Sequence, residues 1–224
     1  QGRKKVLIMR IEIPYKMDSL TVEVAPEHFG AILELNEPEC KCEKKSAVQI
    51  VSDAVAGTLE DFLALPGDVL VIVNDGTRPT PTRFVLEAIG AQLEKAQASF
   101  IVATGAHRAP NREEYDFIFG SWYDTFKERV YAHDARDMES MKYYGSTKRG
   151  TQLYLNKIVA QAQKVIVIGS VEPHYFAGYT GGRKGFLPGT AAYISIEQNH
   201  KLALSDDAHT LALEGNPVHE DMME

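Results

Sequence analysis

Apolar positions along the chain follow three rhythms. Residues 6–15 (VLIMRIEIPY) and 19–25 (SLTVEVA) are rich in β-branched side chains and predict two strands joined by a turn at 16–19. Residues 36–45 are polar, carry a proline and predict a loop. From 46 to 64 the spacing is helical, through Val48, Val51, Val55, Leu59 and Leu63, and Pro66-Gly67-Asp68 ends that helix. Three short unbroken apolar runs follow, at 69–73, 100–103 and 165–168. Runs of that length suit strands buried on both faces, as in a parallel sheet. Helical stretches near 82–97, 111–119 and 152–163 lie between them, another is read at 190–199, and a weaker strand at 129–132. Strand–helix alternation predicts an α/β fold: a mostly parallel open sheet with helices on both faces, preceded by an N-terminal β-hairpin.

Each buried run ends in a loop of chemically able residues. The first runs into Asn74-Asp75-Gly76-Thr77-Arg78-Pro79, the second into Thr104-Gly105-Ala106-His107-Arg108, the third into Gly169-Ser170-Val171-Glu172-Pro173-His174 and on to the glycine-rich Gly178–Gly185. Ligands of open α/β sheets bind outside the carboxyl ends of the strands, so three such ends together predict a ligand site.

The individual residues leave choices open. Asp75, Thr77 and Arg78 precede Pro79, a residue suited to a first helical turn; they read as a helix cap with a surface arginine or as an anion site at a helix N-terminus, with Arg78 as the fork. His107 and His174, on adjacent strand-end loops, suit general acid/base work from two sides of a substrate. Lys184 sits behind glycines without the spacing of a Walker A loop, and can hold a phosphate as a point charge or act as a nucleophile if desolvated. His28, His133, His209 and His219 lack a supporting pattern and are read as structural.

Composition narrows the partners. The 224 residues carry 31 acidic against 24 basic side chains, a net charge of −7, which speaks against nucleic acid and against an anionic membrane surface. No stretch is long enough to span a bilayer, and the basic start is too interrupted for a signal peptide, so a cytoplasmic protein is the default expectation. Cys40 and Cys42, two apart in a polar stretch, are read as reduced surface thiols. The chain opens on Gln rather than Met and is expected to be a piece of something longer.

Taken together, NDGTRPTP, ATGAHR, EPHYFAGYTGGRKGFLPG, the Asn199-His200 pair and GNPVHEDM resemble the nickel-pincer-dependent lactate racemase family, in order and approximate spacing, from about residue 5 to the last residue. The resemblance covers the N-terminal half of such proteins: residues 1–224 correspond to the cofactor-binding, catalytic domain, and the C-terminal domain that closes over the site is absent from this chain. It implies a nickel-pincer nucleotide, Ni(II)-pyridinium-3,5-bisthiocarboxylate mononucleotide, held covalently by Lys184 through a thioamide, with His200 completing the planar nickel coordination. A nickel(II) ion with sulfur donors and one imidazole is chemically sensible. It implies that Asp75, Gly76, Thr77 and Arg78 contact the cofactor, that Arg78 also pairs with the substrate carboxylate, and that His107 and His174 are the two acid/base groups. The implied reaction is racemisation or epimerisation of a small 2-hydroxy acid, lactate by default, by hydride transfer. Cofactor-biosynthesis proteins are the implied partners for loading, and pairing of copies through the docking face is left open. The competing reading is a non-catalytic nucleotide- or phosphate-binding module of the same fold, against which the joint presence of His107, His174, Lys184 and His200 weighs.

Overall fold

The computed structural model describes residues 9–15, 18–33 and 45–224. The start of the first expected strand, the tip of its turn, and Cys40 and Cys42 with nearly all of the loop around them lie outside the described residues. The chain divides into two compact units, residues 1–43 and 44–224.

In the first unit β1 (Met9–Tyr15) and β2 (Asp18–Val24) form an antiparallel hairpin with Ile11 opposite Val22 and Ile13 opposite Leu20. Ile13, Leu20 and Val22 are all exposed.

The second unit begins with α1 (Ala47–Val55) and α2 (Thr58–Ala64), where the apolar rhythm predicts one helix. The break falls at Gly57, whose φ of 79° lies outside helical space and which L-residues adopt rarely. Then come β3 (Val69–Asn74), α3 (Thr82–Lys95), β4 (Ser99–Ala103), α4 (Arg112–Phe119), α5 (Tyr123–Phe126), β5 (Val130–Ala132), β6 (Met141–Ser146), β7 (Gln152–Asn156), α6 (Lys157–Gln161), β8 (Lys164–Ile168), the short β9 (Pro173–His174) and β10 (Gly178–Tyr179), α7 (Tyr193–Lys201) and α8 (Pro217–Met223). The expected helix at 152–163 is therefore strand in its first half and helix in its second: Leu153 and Leu155 alternate with polar neighbours and β7 pairs antiparallel with β6, while α6 follows directly at Lys157.

Strands β5-β4-β3-β8 form one parallel sheet in that order. Its two faces are buried by alternating residues. Val69, Val71, Val73, Phe100 and Val102 pack with Leu86, Ile89 and Leu93 of α3 and with Phe119 and Phe126. Leu70, Ile72 and Ile101 pack on the other side with Val159 of α6 and with Ile158 and Phe186. Fully burying such side chains contributes about 1.5–3 kcal/mol each, so both faces anchor the scaffold. The chain leaves β3 towards β4 and β5 but returns with β8 on the opposite side of β3. The switch point thus lies at the carboxyl ends of β3 and β8, where open sheets form their crevices.

A prediction follows for the small β9–β10 hairpin. Gly178 has φ 74°, and a Cβ there would collide with the backbone carbonyl of Ala212. Gly178→Ala is expected to cost about 2–4 kcal/mol, combining left-handed strain with overpacking. Denaturant titration checks this; an unchanged midpoint would contradict the close approach of residues 178 and 212.

Candidate functional site

A cleft of about 750 Å³ opens at that switch point, lined by Asn74 at the end of β3, Asp75 and Arg78 just after it, His107 after β4, His174 after β8, and Lys184 and His200 from later elements. The three strand-end loops thus converge. Gly76, Thr77, His107 and Arg108 also line a smaller adjoining recess of about 280 Å³.

The β3 loop is built differently from its sequence expectation. Helix α3 starts at Thr82 with Pro81 at its N-cap, so Pro79 is not in its first turn and the stretch Asp75–Pro79 is not a helix-end anion site. Asp75 instead makes a local turn: its Oδ1 accepts from the Thr77 hydroxyl at 2.6 Å and the Thr77 amide at 3.2 Å. Its Oδ2 lies 2.7 Å from His107 Nδ1. The Asp75 side chain is only 7% exposed, that of His107 53%. A buried carboxylate that turns its second oxygen to the ring holds the hydrogen on Nδ1 and leaves Nε2 free as an acceptor. This carboxylate–imidazole pair, between residues 32 apart in sequence, becomes visible only once β3 and β4 are known to be neighbours.

Lys184 lies in a 3₁₀ turn, Gly182–Gly185, laid directly on the sheet. A Cβ at Gly185 would stand 3.0 Å from Val167 and 3.3 Å from Ile72, so glycine lets the turn approach β3 and β8 closely. The turn is tied down from both sides: Arg183 Nη2 donates to the carbonyls of Ala177 (2.8 Å) and Tyr179 (3.1 Å), and the Gly105 amide donates to Gly189 (2.9 Å). Burial, then the charges of Arg183 and Arg78, bring the Lys184 ammonium down to about 8. A lowered value means a neutral, nucleophilic amine above pH about 8, where an exposed lysine is still protonated. Acetylation of Lys184 in the cofactor-free chain, followed by peptide mass mapping across pH, is therefore expected to show a midpoint near 8; a midpoint near 10.5 would contradict the buried placement.

His174 is buried, with Nε2 3.3 Å from Lys184 Nζ and Nδ1 receiving long contacts from the amides of Phe176 (3.4 Å) and Ala177 (3.3 Å). Tyr175 stacks on its ring at 4.8 Å and Phe176 meets it edge-on at 4.5 Å. His200, expected just after a helix, lies within α7. Its ring meets Phe176 at 5.1 Å, and its buried Nε2 has no hydrogen-bond partner among the described residues. Burial first and the charge of Lys184 second push both imidazoles down to about 4, so both are neutral at pH 7. Phe176 also lies under the Lys184 ammonium at 5.6 Å, so one ring spaces His174, Lys184 and His200. Only its place in a distinctive motif marks it in the sequence.

Arg78 lines the cleft, and its charge reaches both His174 and Lys184. Of the histidines read as structural, His133 is buried and bonds through Nε2 to the Ala191 carbonyl at 2.9 Å. Around the mouth, Val171, Tyr175 and Leu204 are 76%, 75% and 90% exposed. No helix among the described residues is long and apolar enough to cross a membrane.

The residues present can be tested against the cofactor that the family resemblance implies. Among the described residues no group of three or more His, Cys, Asp or Glu is placed to cage a metal ion. His200, a neutral imidazole whose buried Nε2 has no hydrogen-bond partner among the described residues, lines a cleft that also holds a nucleophilic lysine. Such a set is compatible with a metal that arrives within an organic group bringing its own donors.

A family model described as the lactate racemase N-terminal domain matches residues 15–212. The chain is 34% identical over 225 residues to the lactate racemase of Thermoanaerobacterium thermosaccharolyticum, covering 95% of this chain and 52% of that protein. It is 30% identical over 226 residues to the lactate racemase of Lactiplantibacillus plantarum, covering 96% and 53%. The chain spans about half the length of these relatives. The structure of the T. thermosaccharolyticum lactate racemase apoprotein superposes with a TM-score of 0.77 at 32% identity, covering 96% of this chain and 52% of that one. A crystal structure of a Thermotoga maritima protein, 20% identical, shares the fold with a TM-score of 0.67 over 78% of this chain and 46% of its own.

Proposed function

The chain belongs to the lactate racemase N-terminal domain family, and from that premise we propose that it is the cofactor-holding half of a racemase or epimerase acting on a 2-hydroxy carboxylate, with lactate as the default substrate. The observation that carries the proposal is the meeting, in one cleft, of a depressed lysine, an unpartnered imidazole nitrogen and two further histidines of different polarity.

In this reading Lys184 holds the nickel-pincer nucleotide covalently and His200 Nε2 coordinates its metal, while the loop Asp75–Arg78 contacts the nucleotide. When bound, that group supplies a reversible hydride acceptor for the substrate α-carbon. The protein's own residues do the rest. Arg78 pairs with the substrate carboxylate as a planar fork. His107, with Nδ1–H committed to Asp75, takes the hydroxyl proton of one enantiomer at Nε2. His174 serves the other. For it to accept a proton at Nε2 its hydrogen must sit on Nδ1, at the cost of the two long amide contacts. Acylation of Lys184 removes the neighbouring positive charge and raises the proton affinity of His174, so loading itself prepares the second base.

The half of the protein beyond this chain is proposed to exclude water from the cleft and complete the grip on the substrate, with the exposed apolar rim at Val171, Tyr175 and Leu204 as its landing. Cofactor-making enzymes are the proposed partners for loading. The test is racemisation of enantiopure L-lactate by full-length loaded protein, followed by chiral chromatography. The expected end point is an equal mixture; retained configuration in protein with full nickel and a modified Lys184 would overturn the substrate assignment.

A further inference from the structure

Helix α7 has two working faces. Tyr193, Ile196, Glu197, His200 and Lys201 line the cleft. Ser195, Gln198 and Asn199, spaced three and four apart, face away from it and are tied to other elements. Ser195 Oγ accepts from the Tyr154 amide at 3.0 Å and donates to the Gln152 carbonyl at 2.6 Å, and Gln198 Oε1 accepts from the Gln152 amide at 2.7 Å. These bonds fix α7 along β7. The last tie, at the residue beside His200, is of another kind.

Asn199 is completely buried, and its Nδ2 donates to Asp221 Oδ2 at 2.8 Å and to the Val218 carbonyl at 3.3 Å. Asp221, on α8, is 2% exposed. Its two oxygens also accept from the hydroxyls of Thr147 (2.5 Å) and Thr151 (2.7 Å), which lie in the turn between β6 and β7. Three neutral side-chain donors thus surround a buried carboxylate, and hydrogen bonds to them offset its burial. Burying a carboxylate this way is costly compared with an apolar residue, and what it gives in return is direction: each donor has one place to stand. The carboxylate also settles which way the Asn199 amide points, since Asn199 Oδ1 has no hydrogen-bond partner among the described residues.

We infer that Asp221 is a positioning residue for His200: through Asn199 it sets the rotation and depth of the end of α7, and so the direction in which His200 Nε2 enters the cleft. The inference rests on the proposed role of His200 in holding nickel.

The test uses loaded full-length protein and two separate readouts: the mass adduct on Lys184, and the rate at which nickel is lost to excess EDTA. Wild-type protein carrying neither adduct nor nickel would remove the reading of the site itself rather than the role of Asp221. Given both in the wild type, Asp221→Asn is expected to keep the adduct but release nickel at least about tenfold faster, the scale on which outer-shell partners tune metal sites. The exchanged pair Asn199→Asp/Asp221→Asn restores one carboxylate facing one amide and is expected to recover much of the retention. Should Asp221→Asn fail to fold, Thr151→Val removes a single donor and is expected to speed release severalfold. Wild-type release in whichever variant folds, or loss of adduct and nickel in parallel, overturns the inference.

Discussion

Asp75→Asn is expected to lower racemase turnover by about a hundredfold or more, with little change in apparent substrate affinity. Asparagine keeps the size of the side chain and its Thr77 contacts, so the loop should hold. What changes is the partner of His107 Nδ1, 2.7 Å away. With an amide there, the imidazole can place its hydrogen on Nε2, and the nitrogen facing the cleft ceases to be a base. The corresponding change behind the histidine of a serine-protease triad costs about 10⁴ in turnover, and loss of carboxylates behind metal-bound histidines costs about 10- to 100-fold. His107→Ala, which removes the base itself, should be at least as severe. Steady-state rates in both directions check this, and a wild-type kcat in Asp75→Asn would dismiss the pair as a structural turn.

Lys184→Ala is expected to abolish the covalent adduct and to lower nickel content to a small fraction of the wild-type level. One imidazole is a weak hold on a metal group, so in the proposed reading the covalent anchor would carry most of the retention. The variant has a second, independent signature. The Lys184 charge ranks second after burial in depressing both His174 and His200. Without it both should titrate above about 4, though still below an exposed histidine because burial persists. Intact mass, nickel analysis and NMR of the imidazole carbons in the unloaded variant read these effects separately. Full nickel content in the variant would contradict the tethering role, and unmoved imidazoles would contradict the proximity of the three groups.

The parallel sheet was legible because strands buried on both faces leave unbroken apolar runs, and β3, β4 and β8 do so. The β6–β7 hairpin left no such trace. Lys142, Tyr143 and Tyr144 are exposed, and Leu155, Ile158, Val159 and Ala162 fit a helical spacing as well as Leu153 and Leu155 fit a strand. Single local residues misled in two places: Gly57 breaks a helix whose apolar rhythm runs on across it, and Pro79 resembles a helix start three residues too early. In the site, the strand-end position of Asp75, His107 and His174 could be read from pattern alone. The proposed roles of Lys184 as an anchor and His200 as a ligand could not; they come with the resemblance. The pairing of Asp75 with His107, the spacing role of Phe176 and the network around Asp221 depend on contacts between distant segments, which no local periodicity encodes.

The central claim is that the α-hydrogen leaves and returns to the same carbon as hydride, while His107 and His174 handle only the hydroxyl proton. A 2-hydroxy carboxylate has a very weakly acidic α-carbon, and two imidazoles without an electron sink are poor tools for abstracting a proton there. The most direct measurement is racemisation of protiated L-lactate by the full-length, loaded protein in heavy water, with the isolated D-lactate read by mass spectrometry. The account predicts D-lactate that keeps its original hydrogen at the α-carbon; extensive deuterium at that position would contradict it and point to direct proton abstraction.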